Sequence, residues 1–204
     1  MHSKTQNDDM GIKNQTDEEL IRRLADGYDP ALNILIGRYK QELFSFIFKY
    51  VQDQDVAYDI VQETFIRVYT KAGSYKSEFA FSTWIYQIAI NLCRDRARKQ
   101  KLWQLVSLET YIGTDSQKSF TDLLEAPLSN VEELVGNRNQ LRVLEKEIQK
   151  LPHKLKTALL LFTVEGHSQE ECAKILNVTA KTIETRVYRA RKILTKKIPI
   201  NFEG

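Results

Sequence analysis

The chain reads as an all-α protein of two small helical domains joined by a long acidic linker, and three observations carry that reading. Apolar residues recur at helical spacing from Asp17 to about Lys101, and again from about Val131 onward. Strand signals are absent, because the β-branched residues sit at helical rather than alternating positions. Between Leu102 and about Asn130 no period holds, and Gly113, Pro127 and several Ser, Thr and Asp residues interrupt it. A loop longer than roughly 15 residues is uncommon inside a compact domain and marks a linker or a functional segment. This one is acidic: over Leu105–Val135, Glu109, Asp115, Asp122, Glu125, Glu132 and Glu133 face Lys118 alone, a net charge of −5. The division that follows is a frayed polar tail at 1–16, a first domain at 17–101, the linker at 102–130 and a second domain at 131–204.

In the first domain a short helix over Asp17–Asp26 is closed by Gly27. Pro30 lies in the first turn of the next helix, where its fixed φ is tolerated. Leu32, Leu35, Ile36, Tyr39, Leu43, Phe46 and Ile47 trace the core stripe of that helix, which ends near Val51. A third helix covers about Gln54–Ala72 and stops at Gly73. Ala57, Ile60, Val61, Thr64, Phe65 and Val68 form its buried side. Asp59, Gln62, Glu63 and Ile66 fall on the other side, an acidic patch edged by an isoleucine that suits either protein docking or plain solvation. The fourth helix, about Ser82–Lys101, buries Phe81, Trp84, Ile85, Ile88 and Leu92 and shows Gln87, Asn91, Arg94 and Arg98 on its other side. Its end, Arg94–Lys101, holds Arg94, Arg96, Arg98, Lys99 and Lys101 against Asp95, a net +4. Aromatics ahead of a basic helix end can stack on bases and hold phosphates, although Phe81 and Trp84 suit a core as well.

The second domain opens with a helix over Val131–Lys150, and Pro152 begins another that runs through Glu165. Then His167–Leu194 spells a helix-turn-helix. Ser168 with Glu171 makes a capping box, and Cys172, Ala173 and Leu176 form a short apolar face. Asn177 stands at the turn, where a left-handed residue is needed. Val178 seals the corner, and Thr179 can cap the second helix. There Ile183, Val187, Ala190 and Leu194 share one face, opposite Lys181, Thr185, Tyr188, Arg189 and Lys192. From Thr179 to Lys197 seven cations meet only Glu184, a net +6. A helix of this kind suits the major groove of DNA.

The overall charge of +3 over 204 residues is unremarkable, because the useful charge is segregated along the chain. Cys93 and Cys172 are far apart in apolar helical patterns and read as small core residues, not as a disulfide. The longest apolar run, Ala158–Val164 if Thr163 is tolerated, is too short to span a membrane. The N-terminal residues lack a signal-peptide core, so the expectation is a cytoplasmic protein without membrane insertion. No glycine-rich phosphate loop is present, and His2, His153 and His167 form no metal or nucleophile constellation. No enzymatic activity, metal or cofactor is expected. A recombinase would need a catalytic serine or tyrosine with supporting arginines, which the sequence does not offer. A free-standing helix-turn-helix repressor would account for the C-terminal half but leaves the basic fourth helix and the acidic linker unexplained.

Asp59-Ile-Val-Gln-Glu-Thr-Phe-Ile-Arg-Val-Tyr69, Phe81-Ser-Thr-Trp-Ile-Tyr-Gln-Ile-Ala-Ile-Asn91, Leu151-Pro and the helix-turn-helix follow in that order. Together they resemble a bacterial sigma factor of the extracytoplasmic-function (ECF) group in the sigma-70 family, over roughly Asp17–Lys197 apart from the linker. The resemblance implies conserved region 2 in the first domain and region 4 in the second. It implies that Asp59, Gln62, Glu63 and Ile66 dock on the clamp helices of the β′ subunit of core RNA polymerase, with the β subunit a further contact. It implies that Gln87 and Asn91, with the loop Gly73–Ala80, capture an unpaired base of the −10 promoter element while Arg94, Arg96 and Arg98 hold the backbone. It implies that Thr179, Lys181, Thr182, Thr185, Arg186 and Arg189 meet the −35 element. The linker would thread the polymerase channel that otherwise holds nucleic acid, and an anti-sigma factor would control the protein. Two departures stand out: Asn177 replaces the usual glycine at the turn, and Glu184 stands where a cation is common.

Overall fold

The computed structural model describes residues 14–111 and 132–197, the side chains at 101, 103–111 and 132–140 excepted. The polar tail up to residue 13 and the linker from 112 to 131, with most of the charges assigned to it, lie outside the described residues. Among the described residues every regular element is helical.

Helix α1, Asp17–Ala25, starts at a capping box that sequence reading did not single out. Glu19 donates its N–H to Thr16 Oγ1 at 3.2 Å, and Thr16 donates its own to Glu19 Oε2 at 2.9 Å. Gly27, at φ 89°, supplies the left-handed turn that ends the helix region. Helix α2, Pro30–Val51, ends at Gln52 in the same conformation, at φ 58°. Asp53 then caps helix α3, Gln54–Thr70, accepting the Val56 N–H at 3.0 Å. A left-handed stop followed at once by a cap makes α2 and α3 an antiparallel pair. Helix α4 runs Phe81–Tyr111. Its first N–H is capped from a distance in sequence: Phe81 donates to Glu18 Oε1 at 3.0 Å, placing a carboxylate at the positive end of the helix. Asp17 meanwhile takes Arg38 and the Tyr39 hydroxyl, so α1 is tied to both α2 and α4. Leu20, Ile21, Leu35, Leu43, Phe46, Ile47, Val68, Phe81 and Ile85 are fully buried at the centre.

Helix α5 covers Glu132–Gln149 and α6 His153–Leu159, and Leu160–Val164 form a π-helical turn before the helix-turn-helix. That pair is α7, Gln169–Leu176, and α8, Ala180–Lys197. Leu161, Cys172, Ile183 and Ala190 are fully buried between α6, α7 and α8.

Four details differ from the sequence expectation. α4 continues regular to Tyr111, ten residues beyond the end expected at Lys101, so the aperiodic stretch begins later. Trp84 and Ile88 are half-buried, and Leu32, Ile36 and Tyr39 on α2 are only partly covered. Phe81, by contrast, is fully buried and belongs to the core, edge-on to Tyr39 at 5.3 Å. The Pro152–Glu165 helix is interrupted: the Glu165 N–H reaches back five residues to the Leu160 carbonyl, at 3.1 Å.

The two domains are also in direct contact. α4 packs on α7, and α2 packs on the π-helical turn. This explains why Tyr86 and Ile90, off the expected buried stripe of α4, are buried too. Tyr86 stands edge-on between Phe46 of its own domain, at 5.5 Å, and His167 of the other, at 5.0 Å.

Candidate nucleic-acid interface

The cap, turn and apolar seam of the helix-turn-helix place its polar face. Ser168 and Glu171 exchange backbone and side-chain hydrogen bonds at 2.8 and 3.1 Å, and Ser168 holds the Glu171 carboxyl below its ordinary value. Asn177 adopts φ 50°, the left-handed conformation the turn demands. Thr179 Oγ1 accepts the Thr182 N–H at 3.2 Å and fixes the start of α8. Ile183, Val187, Ala190 and Leu194 are all buried, so the opposite face must point to solvent. On it Thr179, Lys181, Thr182, Thr185, Arg186 and Arg189 line one shallow groove of about 250 Å³. Those are the six residues that sequence reading assigned to −35 DNA, and the structure brings them together. Glu184 pairs with Lys181 at 3.0 Å, so the departure noted in sequence lowers the free positive charge at the front of the helix. Tyr188, 64% exposed, extends the face beyond the groove.

The α4 residues are arranged differently. Gln87, Asn91 and Arg94 line a cleft of about 760 Å³ whose opposite wall is the second domain: His153, Lys154, Lys174, Asn177 and Arg186. Gln87 donates to the Lys174 carbonyl at 3.1 Å. Phe79, 46% exposed, sits at the edge of the same cleft. Sequence reading had named its loop but not this residue. An aromatic in the loop just before an amide-bearing helix face was the available signal. Arg96 turns into a second cavity of about 720 Å³, with Tyr50, Lys99 and Lys156. Arg98 is exposed and shares Asp95 with Arg94, at 3.7 and 3.9 Å. The −10 group is therefore split: three members in the interdomain cleft, one behind it and one in solvent.

On α3, Asp59, Gln62 and Ile66 are exposed, Ile66 by 55%, and the half-exposed Glu63 is paired with Arg67 at 2.9 Å. The stripe continues through Tyr69 at one end. At the other end, Tyr58 lies 4.4 Å from Phe44, which stacks at 6.0 Å on Phe48. Sequence reading missed these aromatics because α2 supplies half of them. No cluster of metal-binding side chains and no helix long and apolar enough to cross a membrane occurs among the described residues.

A three-helix-plus-α4 bundle followed by a helix-turn-helix with this polar face defines a two-domain DNA-binding protein of the transcription machinery, and the family comparisons agree. Residues 35–102 match Sigma-70 region 2 and residues 141–194 match Sigma-70, region 4. The chain is 32% identical over 183 residues to the ECF RNA polymerase sigma-E factor of Escherichia coli (strain K12), a span of 90% of this chain and 94% of that one. To the ECF RNA polymerase sigma-E factor of Haemophilus influenzae it is 32% identical over 190 residues, 90% and 95% of the two chains. The chain belongs to the sigma-70 family, in its ECF group. The solved structure of CnrH in complex with the cytosolic domain of CnrY shares the fold at TM-score 0.63 and 21% identity, over 89% of this chain and 96% of that one. The sigma factor RpoE in complex with the anti-sigma factor NepR from Bartonella quintana does so at TM-score 0.55 and 20% identity, over 81% and 95%.

Proposed function

We propose that this chain is an RNA polymerase sigma factor that binds core polymerase, recognises −35 and −10 promoter elements, and promotes promoter melting and transcription initiation. The observation that carries the reading is the gathering of all six −35 residues into one solvent-facing groove on a helix whose other face is wholly buried. The 32% identity with ECF sigma-E factors along 90% of the chain supports it. α8 enters the major groove, with Lys181, Thr182 and Thr185 in its first turns reaching base edges. Arg186 and Arg189 lie further along and grip phosphate, which positions the protein without reading sequence. Opening duplex DNA costs about 1.4 kcal/mol per base-pair step in lost stacking. A protein without a nucleotide motor offsets that cost by binding the separated strand. Gln87, Asn91 and Phe79 supply amides and a ring for an unpaired base, and Arg94, Arg96 and Arg98 supply cations for its backbone. Asp59, Gln62, Glu63 and Ile66 form the surface for the β′ clamp helices, with β a further contact. The linker runs through the polymerase channel.

Catalysis belongs to the polymerase, and this chain acts in the cytoplasm without an enzymatic activity of its own. An anti-sigma factor is its regulatory partner, a reading supported by the shared fold of RpoE, solved in complex with the anti-sigma factor NepR. Purified chain added to core polymerase should yield transcripts that start at defined promoters. Core polymerase that gains no promoter-dependent transcription from it would reject the reading.

A further inference from the structure

We propose that Lys181 and Glu184 act as one unit that reads a single C·G base pair in the duplex, Glu184 taking the cytosine and Lys181 the guanine. The proposal rests on the sigma-factor reading above and deepens it by naming what the front of α8 recognises. Glu184 is the one anion between Thr179 and Lys197, among seven cations. On a helix that docks against phosphates such a charge is repelled, and an exposed pair with Lys181 contributes little to stability in return. The pair nonetheless stands at the entry end. Both residues are exposed at the start of α8, ahead of Arg186 and Arg189, and Lys181 Nζ donates to Glu184 Oε2 at 3.0 Å. The neighbouring hydroxyls are less free. Thr185 commits its proton to the Lys181 carbonyl at 2.9 Å, and Thr179 and Thr182 share one between their Oγ1 atoms at 2.9 Å. That leaves Lys181 and Glu184 as the charged donor and acceptor offered at this end.

The chemistry of the major groove selects the base. A carboxylate only accepts hydrogen bonds, so it needs a base-edge donor, and adenine N6 and cytosine N4 are the donors there. Guanine presents the acceptors N7 and O6, and thymine the acceptor O4, which repel it. Adenine sets its N7 acceptor beside the donor, whereas cytosine offers its N4–H alone. Cytosine is therefore the base that suits Glu184. Within a C·G pair N4 is hydrogen-bonded to guanine O6, so those two atoms lie about 2.9 Å apart. The ion pair has matching spacing: Glu184 Oε2 over N4 leaves Lys181 Nζ over O6, with N7 beside it. The free chain already holds the geometry that the base pair requires, so little ordering is left to do on binding. The anion then meets a donor instead of standing unmatched among phosphates.

A randomised −35 duplex library, titrated with the full chain, tests this position by position. The wild-type chain should demand C·G at one position, with about tenfold weaker binding when another pair stands there. In Glu184→Gln the amide pairs best with adenine N6 and N7, so the preference at that position should switch from cytosine to adenine. Glu184→Ala should leave the position indifferent and raise the affinity for unrelated duplex, because an anion has left the interface. Lys181→Ala should relax the same position. Both sites are exposed on a helix and the replacements are good helix formers, so the fold persists in every variant. A cytosine preference that survives both Glu184 substitutions would overturn the proposal. So would a Glu184→Ala chain that weakens on every sequence equally, which would reduce Glu184 to a brace for Lys181. Effects of Lys181 and Glu184 at different positions would overturn the shared base pair. A wild-type chain with no preference at any position would instead bring down the assignment of α8 to −35 DNA on which the proposal rests.

Discussion

The groove on α8 and the face on α4 are both helix surfaces assigned to DNA, yet they present opposite situations. The α8 groove is open, and every side chain assigned to it lines it. The α4 face is half covered by the other domain, and its assigned residues are divided among two cavities and solvent. The difference lies in what determines each surface. α8 buries one face within its own domain, so helical period alone settles which residues remain outside. α4 is buried on two sides, once against α1, α2 and α3 and once against α7, and the second burial depends on a domain more than 70 residues away in sequence, as with Gln87 and Lys174.

The largest expected effect asks whether the two surfaces ride on one body or two. Ile183→Ala removes a fully buried side chain from the second domain, at a cost of about 2–5 kcal/mol. If the interdomain contacts couple the domains, calorimetry should show the first domain's unfolding moving down with the second. A first transition that stays in place while the second collapses would mean two independent bodies, and the closed arrangement would lose its support.

Next in size is the surface that closure leaves untouched. Asp59→Lys with Glu63→Lys should preserve helical content and weaken core polymerase binding, since like charges brought together at a contact cost several kcal/mol. Undiminished affinity in the folded double variant would move the docking site elsewhere, with the Tyr58, Phe44 and Phe48 cluster the first place to look.

Several local signals were legible in the sequence, although the equally local Thr16–Glu19 capping box was passed over. The Ser168–Glu171 box, the left-handed Asn177 and the four-residue seam of α8 were all legible, because each needs only residues within one or two turns. The buried and exposed sides of α3 were equally legible, down to the buried Thr64, whose hydroxyl donates to the Ile60 carbonyl at 2.7 Å. The other notable misses depend on partners distant in the chain. Glu18 capping α4 is 63 residues from Phe81. Lys156 looks like a surface cation until Tyr50 is placed beside it. Ile175 lies off the apolar stripe expected of α7 and is buried because it lines the interdomain cleft. Trp84 failed in the other direction: its size suggests a core, but it lies half-open against Tyr75, at 5.3 Å.

Within the open groove the residues themselves should divide. Alanine at Lys181 or Thr185 should change which −35 sequences are preferred, by about 1–3 kcal/mol per base contact. Alanine at Arg189 should weaken all sequences together and flatten the salt dependence by about one unit of slope. Titrating the full chain against a randomised −35 library at two salt concentrations separates the two. A changed preference in Arg189→Ala, with none in Lys181→Ala or Thr185→Ala, would reverse the orientation of α8 in the groove.

The smallest effect is a pH dependence of closure, and its sign is fixed by His153. Burial lowers the pKa of this imidazole first, and Arg94, Lys156, Arg186 and Lys154, drawn from α4, α6 and α8, lower it further. On the α2 side it meets the Tyr50 hydroxyl, which donates to Nδ1 only while that nitrogen is unprotonated. In an open chain the ring returns to water and to an ordinary value near about 6.5. Protons therefore bind the open form more tightly, and closure keeps its full stability only above that value. It loses stability as pH falls through the lower value of the closed form. Spin labels on Lys71→Cys and Lys192→Cys, both exposed and away from the interface, should report more of the separated population at pH 5.5 than at pH 7.5. His153→Gln should remove that difference. A response that survives the substitution would place the proton on another group, with His167 beside Tyr86 the next to replace.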